Sequence, residues 1–255
     1  MKVLGLQFDI AWENKPANFE KVRSLLAAAL PEKGALIVLP EMFATGFSMN
    51  TGTVAEPYSG ETEAFLAGLA NTFGVYVIAG AAMRAKDGRS RNKALCFSPD
   101  GKLIAWYAKM RPFAPGGEAE HYSAGERTAV FQWAECKVSP FVCYDLRFPE
   151  LFRQAAAAHR PEVFAVIASW PNKRIHHWTR LLQARAIENQ AYVIGINRIG
   201  TDPYYEYSGQ SAIVDPDGNL MAEAGSNETC IEAVLDLENL RKYRAGLPFL
   251  NDMKI

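Results

Sequence analysis

The stretch Val138 to Glu150 reads V-S-P-F-V-C-Y-D-L-R-F-P-E and places Cys143 where an apolar run gives way to polar residues. Val138, Phe141 and Val142 suit a buried strand, and Pro149 followed by Glu150, Leu151, Phe152 and an alanine run suits a helix opening. Cys143 is therefore expected at a strand exit. In an α/β sheet such exits face the crevice where ligands bind, and the next backbone N–H groups can receive an anion. An isolated cysteine is more often a buried structural residue. Tyr144, Asp145 and Arg147 crowd Cys143 with polarity that a core cysteine does not need, so the stretch alone leaves both readings open.

Two other strand exits carry charge. Ala35 to Leu39 is a short β-branched strand closed by Pro40, and Glu41 follows at once. Leu103 to Ala108 reads as a strand that ends at Lys109. Around these, the pattern predicts a strand over residues 2–9, a helix capped by Asn18 and stopped by Pro31, a helix over Glu61 to Phe73, and strands over Val75 to Met83 and Asn92 to Phe97. Asp87-Gly88 and Pro99-Asp100-Gly101 mark tight turns between consecutive strands, so the sheet should be mixed. Beyond Cys143, helix, strand, helix and strand alternate as in an α/β protein. The segment Phe97 to Ile104 (F-S-P-D-G-K-L-I) is echoed by Val214 to Met221 (V-D-P-D-G-N-L-M), which suggests two similar halves packed face to face. No linker or low-complexity tract divides them, so a single domain over residues 1–255 is expected.

Composition narrows the function classes. Apolar residues make up 49% of the 255 residues and charged residues 22%, ordinary values for a globular chain with a substantial core. A formal net charge of -1 argues against nucleic acid as a partner, because such binders normally carry a basic face. The four cysteines are widely spaced, without a C-x-x-C pair or a zinc ladder. The N-terminus meets Asp9 too early for a signal peptide and no apolar run is long enough to span a bilayer, so a cytoplasmic chain with no membrane partner is expected.

A cysteine nucleophile needs a base, since a thiol with pKa about 8.5 is only slightly ionised at neutral pH. None of His121, His159, His176 and His177 follows a strand. A carboxylate at Glu41 can take the role, and a cation at Lys109 would stabilise an oxyanion. The motifs L-P-E-M-F-A-T-G-F (39–47), Y-A-K-M-R-P-F (107–113), C-Y-D-L-R-F-P-E (143–150) and A-R-A-I-E-N-Q-A-Y-V-I-G-I-N-R (184–198) together closely resemble the carbon–nitrogen hydrolase, or nitrilase, superfamily. Within it, C-Y-D-L-R-F-P-E and S-W-P-N-K-R-I-H-H-W look most like the omega-amidase branch, which hydrolyses 2-oxoglutaramate and related 2-oxo acid amides.

That resemblance implies an α-β-β-α sandwich with two mixed sheets, homodimers paired through outer helices, a small-molecule amide substrate, and catalysis without metal or organic cofactor. It matches Glu41 to the general base, Lys109 to the oxyanion lysine, Cys143 to the nucleophile, and Glu118 to a second glutamate that positions the lysine. Where many relatives read K-x-H-L-F, this chain has Lys109-Met110-Arg111-Pro112-Phe113. The Tyr144 backbone N–H is expected at the oxyanion, with Asp145 and Arg147 holding the turn. Phe43 and Trp170 are expected to wall the pocket, and Arg174, with Arg198 and Arg111 behind it, to meet a substrate carboxylate. The competing readings are a nitrile or N-carbamoyl hydrolase using the same Glu-Lys-Cys triad, and a non-catalytic scaffold with a buried cysteine.

Overall fold

The computed structural model describes residues 1–254. The first half runs β1 (Lys2–Gln7), α1 (Lys15–Ala29), β2 (Leu36–Val38), α2 (Thr51–Val54), α3 (Glu61–Phe73), β3 (Tyr76–Arg84), β4 (Ser90–Phe97) and β5 (Leu103–Ala108). A short connection follows through α4 (Glu118–His121). The second half runs β6 (Phe131–Trp133), β7 (Cys136–Val142), α5 (Pro149–His159), β8 (Val163–Ala168), α6 (Ile175–Asn189), β9 (Tyr192–Asn197), β10 (Ile199–Thr201), β11 (Glu206–Ser208), β12 (Ala212–Val214) and β13 (Leu220–Glu223). β14 (Thr229–Val234) and α7 (Leu237–Gly246) end the order of longer elements.

Two six-stranded sheets result, ordered β14-β1-β2-β3-β4-β5 and β13-β12-β9-β8-β7-β6. In the first, β1, β2 and β3 are parallel and β4 and β5 antiparallel. In the second, β7, β8 and β9 are parallel and β12 and β13 antiparallel. The repeated turn seen in the sequence joins the two antiparallel strands of each sheet, so the halves share one plan. Each sheet is closed by one further antiparallel edge strand, β14 beside β1 and β6 beside β7. The arrangement is the expected α/β sandwich with two mixed sheets.

Alternation along the strands explains the layers. Leu4, Leu6, Ile37, Leu39, Val77 and Ala79 pack with Phe19, Val22 and Leu26 of α1 and Phe65, Leu66 and Leu69 of α3. The alternate positions Val3, Leu36, Val38, Ile78, Ala94 and Cys96 join the apolar cluster of the second sheet. The sheets approach closely at Gly5, where a Cβ would lie 2.0 Å from Ile196 Cδ1. On the far side, Trp178 and Leu182 of α6 pack against Gly195 of β9. No helix among the described residues is long and apolar enough to cross a membrane.

One boundary differs from the expectation. The first helix opens at Lys15, with the Asn14 side chain accepting from the Ala17 N–H. Asn18 lies one turn inside and is buried. Its amide donates to the carbonyls of Ala11 and Ala44 and accepts from the Ala11 N–H. It therefore clamps the loop after β2 instead of capping its own helix, a tertiary use that a local capping rule does not contain.

Candidate active site

The carboxyl ends of the parallel strands of both sheets converge, and the polar residues that leave them are buried together. Glu41 follows β2 in a tight turn. That turn is seated on Gly80 of β3, where a Cβ would fall 2.4 Å from the Met42 nitrogen and 2.5 Å from the Glu41 Cα. Only glycine permits this approach of backbone to backbone. The Glu41 side chain is fully buried. Its Oε1 accepts from Lys109 Nζ at 2.9 Å and from Asn92 Nδ2 at 2.7 Å, and its Oε2 accepts from the Ser169 N–H at 2.8 Å.

Lys109, at the exit of β5, donates also to Glu118 Oε2 at 2.7 Å. Glu118 opens α4, its Oε2 further accepting the Phe113 N–H and its Oε1 the second Asn92 N–H at 2.8 Å. Two carboxylates thus surround one ammonium, all three side chains at most 2% exposed. Burial pushes the Lys109 ammonium toward its neutral form, but Glu118 and Glu41 outweigh it and raise its pKa overall. Lys109 is held as a cation.

Cys143 leaves β7 with φ +46°, a left-handed conformation uncommon for a residue with a Cβ. It begins a 3-10 turn, Cys143–Arg147, before α5. Its Sγ points at the Ser169 carbonyl, 3.8 Å away. Ser169 therefore touches Glu41 through its N–H and Cys143 through its C=O. Burial pushes the Cys143 thiol well above its ordinary value, and Glu41 adds to this while Lys109 opposes it. The thiol is protonated at rest and needs a base before it can attack.

Asp145 locks the turn. Its Oδ2 accepts from the Val142 N–H and the Tyr107 hydroxyl, and its Oδ1 accepts from the Arg111 N–H at 2.9 Å. One buried carboxylate thus fixes the chain before Cys143 to the chain on both sides of Lys109. Burial pushes Asp145 up from 3.8 to about 7, against the pull of Lys109 and its donors. A raised folded pKa means the folded state holds a proton that the unfolded chain has released, so this group's contribution to stability falls as pH rises from about 4 through about 7. Replacing Asp145 with Asn should flatten that part of the pH–stability curve while lowering stability by about 1 to 3 kcal/mol, because the new amide must set a donor against a buried donor. Urea unfolding of both proteins at several pH values would show parallel curves if Asp145 does not titrate there.

Above Cys143 lies a pocket walled by Phe47, Phe113, Tyr144, Trp170, Tyr205, Arg147 and Arg174 among others. Trp170, expected in the wall, and Arg174, expected to meet a carboxylate, both line this pocket, and so does the Tyr144 residue whose backbone N–H was expected at the oxyanion. Phe43 does not. It is fully buried against Phe19 and Phe65 in the helix-facing core, and Phe47, four residues on, lines the pocket with its ring 5.2 Å from Lys109 Nζ. Arg198 pairs with Asp9 behind Tyr207, and Arg111 points to Glu150 at 3.6 Å; neither lines the pocket.

Arg147, read from sequence as a turn residue, lies in the wall with its guanidinium 4.6 Å from the Trp170 ring centroid. Arg174 lies over Phe113 at 5.4 Å. Among the described residues neither arginine has a carboxylate within ion-pairing distance. Burial, and then the charge of Arg174, push Arg147 toward its neutral form. This wall has cationic capacity to spare. Asn92 and Ser169 also escaped the sequence reading, although Asn92 interrupts an apolar inward stripe continued by Ala94 and Cys96.

The comparisons agree with this architecture. The carbon-nitrogen hydrolase family model matches residues 5–245. A protein of Yersinia enterocolitica named omega-amidase YafV is 37% identical, over 99% of this chain and 96% of its own length. A 2-oxoglutaramate amidase of Bacillus subtilis is 32% identical over 98% of this chain and 96% of its own. The crystal structure of XC1258 from Xanthomonas campestris, a CN-hydrolase superfamily protein with an arsenic adduct in its active site, superposes with a TM-score of 0.94 at 31% identity, covering 100% of this chain and 97% of that one. With its two-sheet sandwich and a family match over nearly its whole length, the chain belongs to the carbon–nitrogen hydrolase family.

Proposed function

We propose that the chain is an omega-amidase, hydrolysing the terminal amide of small 2-oxo acid amides such as 2-oxoglutaramate and 2-oxosuccinamate to the dicarboxylate and ammonia. The observation that carries this reading is the pocket over Cys143, walled by two guanidiniums that meet no carboxylate among the described residues. Such a wall suits a small amide with a carboxylate at its far end. The names of the Yersinia and Bacillus relatives support the same substrate class. A non-catalytic scaffold is disfavoured on energetic grounds. Burying two glutamates and a lysine gains little over apolar residues of similar size, and only a chemical task explains the cost.

The residues at the strand exits can divide the reaction among them. Glu41 takes the Cys143 proton, and the thiolate attacks the amide carbonyl. The Lys109 ammonium and the Tyr144 backbone N–H hold the resulting oxyanion. Collapse of the tetrahedral species breaks the C–N bond, with the proton on Glu41 passing to the leaving ammonia. A thioester on Cys143 remains. Glu41, again a carboxylate, deprotonates a water that attacks the thioester, and the thiolate departs and recovers the proton. Glu118 acts on Lys109 and through it on the oxyanion, without touching substrate. No step requires a metal or organic cofactor.

Arg147→Ala and Arg174→Ala should each lower kcat/KM for 2-oxoglutaramate by about 10- to 100-fold, the scale of one lost charge-assisted hydrogen bond. A neutral amide of equal length should be little affected, so comparing the two substrates separates carboxylate recognition from general damage. The proposed activity itself is tested by ammonia release from a panel of 2-oxo acid amides, aliphatic nitriles and N-carbamoyl amino acids. Rapid turnover of a nitrile or carbamoyl compound beside an inert 2-oxoglutaramate would overturn it.

A further inference from the structure

Asn92 sits near the start of β4, 2% exposed, with its side chain between the two buried glutamates. One N–H of its amide goes to Glu41 Oε1 at 2.7 Å and the other to Glu118 Oε1 at 2.8 Å. Lys109 Nζ spans the same two carboxylates, through Glu41 Oε1 and Glu118 Oε2. The four side chains form a closed ring in which two donors alternate with two acceptors. The Asn92 main chain joins it too, its carbonyl accepting the Lys109 N–H at 2.9 Å.

The amide orientation is dictated by charge. With oxygen and nitrogen exchanged, the amide oxygen would face two carboxylate oxygens; as placed, both N–H groups are used and Oδ1 finds no partner among the described residues. An unpaired buried acceptor is costly, so the ring is kept at some expense. A second lysine here would neutralise both glutamates and blunt Glu41 as a base, whereas an apolar residue would leave two carboxylates free to share a proton. A neutral residue with two donors avoids both outcomes.

We propose that Asn92 is a positioning residue that keeps Glu41 and Glu118 apart and aimed, so that Glu41 is available to take the Cys143 proton. The proposal rests on the reading of Glu41 as general base. The other titratable groups around Glu41 are Lys109, Glu118, Cys143, Tyr122 and Tyr207, the last lying beside Arg198. Asn92 is the neutral donor shared by both carboxylates.

The test measures alkylation of Cys143 by iodoacetamide against pH in the full chain, a readout independent of the natural substrate. Asn92→Ala should move the acid limb of the rate profile upward by about one pH unit, the scale of one hydrogen bond to a charged group. Asn92→Ser, which keeps a single donor, should move it by less, and it carries the measurement if the alanine variant does not fold. A limb lost in Glu41→Gln but unmoved in the folded Asn92 variants, with only their amplitude or melting temperature reduced, means a merely structural asparagine and overturns the proposal. A limb that persists unchanged in Glu41→Gln removes Glu41 from the base role and the proposal with it.

Discussion

Cys143→Ala is expected to lower ammonia release from 2-oxoglutaramate by about 10⁴-fold or more, the scale seen when an enzyme loses its nucleophile, with no measurable loss of folding stability. The substitution deletes one sulfur whose hydrogen bond among the described residues is a single long one to the Ser169 carbonyl. The backbone at this position already carries a Cβ at positive φ, so alanine adds no strain that cysteine lacks. The turn itself is held by Asp145, not by the thiol. Ammonia assays should therefore collapse while thermal unfolding stays within a degree or two of the parent. A variant that unfolds, or one that retains turnover, would return the cysteine to its structural reading.

Lys109→Met should have the largest effect on stability. Methionine matches the length of the lysine stem, so the change is chiefly loss of charge. It leaves Glu41 and Glu118 buried beside each other without a cation. Breaking a buried ion pair in this way costs about 3 to 5 kcal/mol, a large part of the total for a domain. Repulsion between the carboxylates would raise the pKa of at least one of them in the folded variant, so the variant's stability should be greatest in acid and fall as pH rises through that raised value. Adding Glu118→Gln should recover part of the stability, because a single carboxylate remains. It should not recover activity, because the oxyanion still lacks its ammonium, a loss of about 10²- to 10³-fold. Denaturant unfolding and ammonia release on the single and double variants separate the two roles of Lys109.

The contrast between these variants mirrors what the sequence could and could not convey. The strand-exit positions of Glu41, Lys109 and Cys143 were legible because each follows a short apolar run, and a strand exit is a local feature. The shared plan of the two sheets was legible through the repeated Pro-Asp-Gly turn. Phe43 and Phe47 were not distinguishable, since both lie in an irregular loop after β2 whose course depends on Gly80 and Asn18, distant in sequence. Arg147 was misread for a similar reason. The 3-10 turn after Cys143 rotates it from the turn into the pocket wall, and strand or helix periodicity does not anticipate that rotation. Asn92 was hidden by its strand, where one polar residue in an apolar stripe carries meaning only once Glu41 and Glu118 are known to lie opposite it.

The proposed thioester at Cys143 is tested most directly by its partition between water and hydroxylamine. During turnover of 2-oxoglutaramate, added hydroxylamine should divert product from the dicarboxylate to its hydroxamate in proportion to concentration, and Cys143→Ala should form none. Steady ammonia release with no hydroxamate at any hydroxylamine concentration would mean that water attacks the amide directly, and would contradict the proposed role of Cys143.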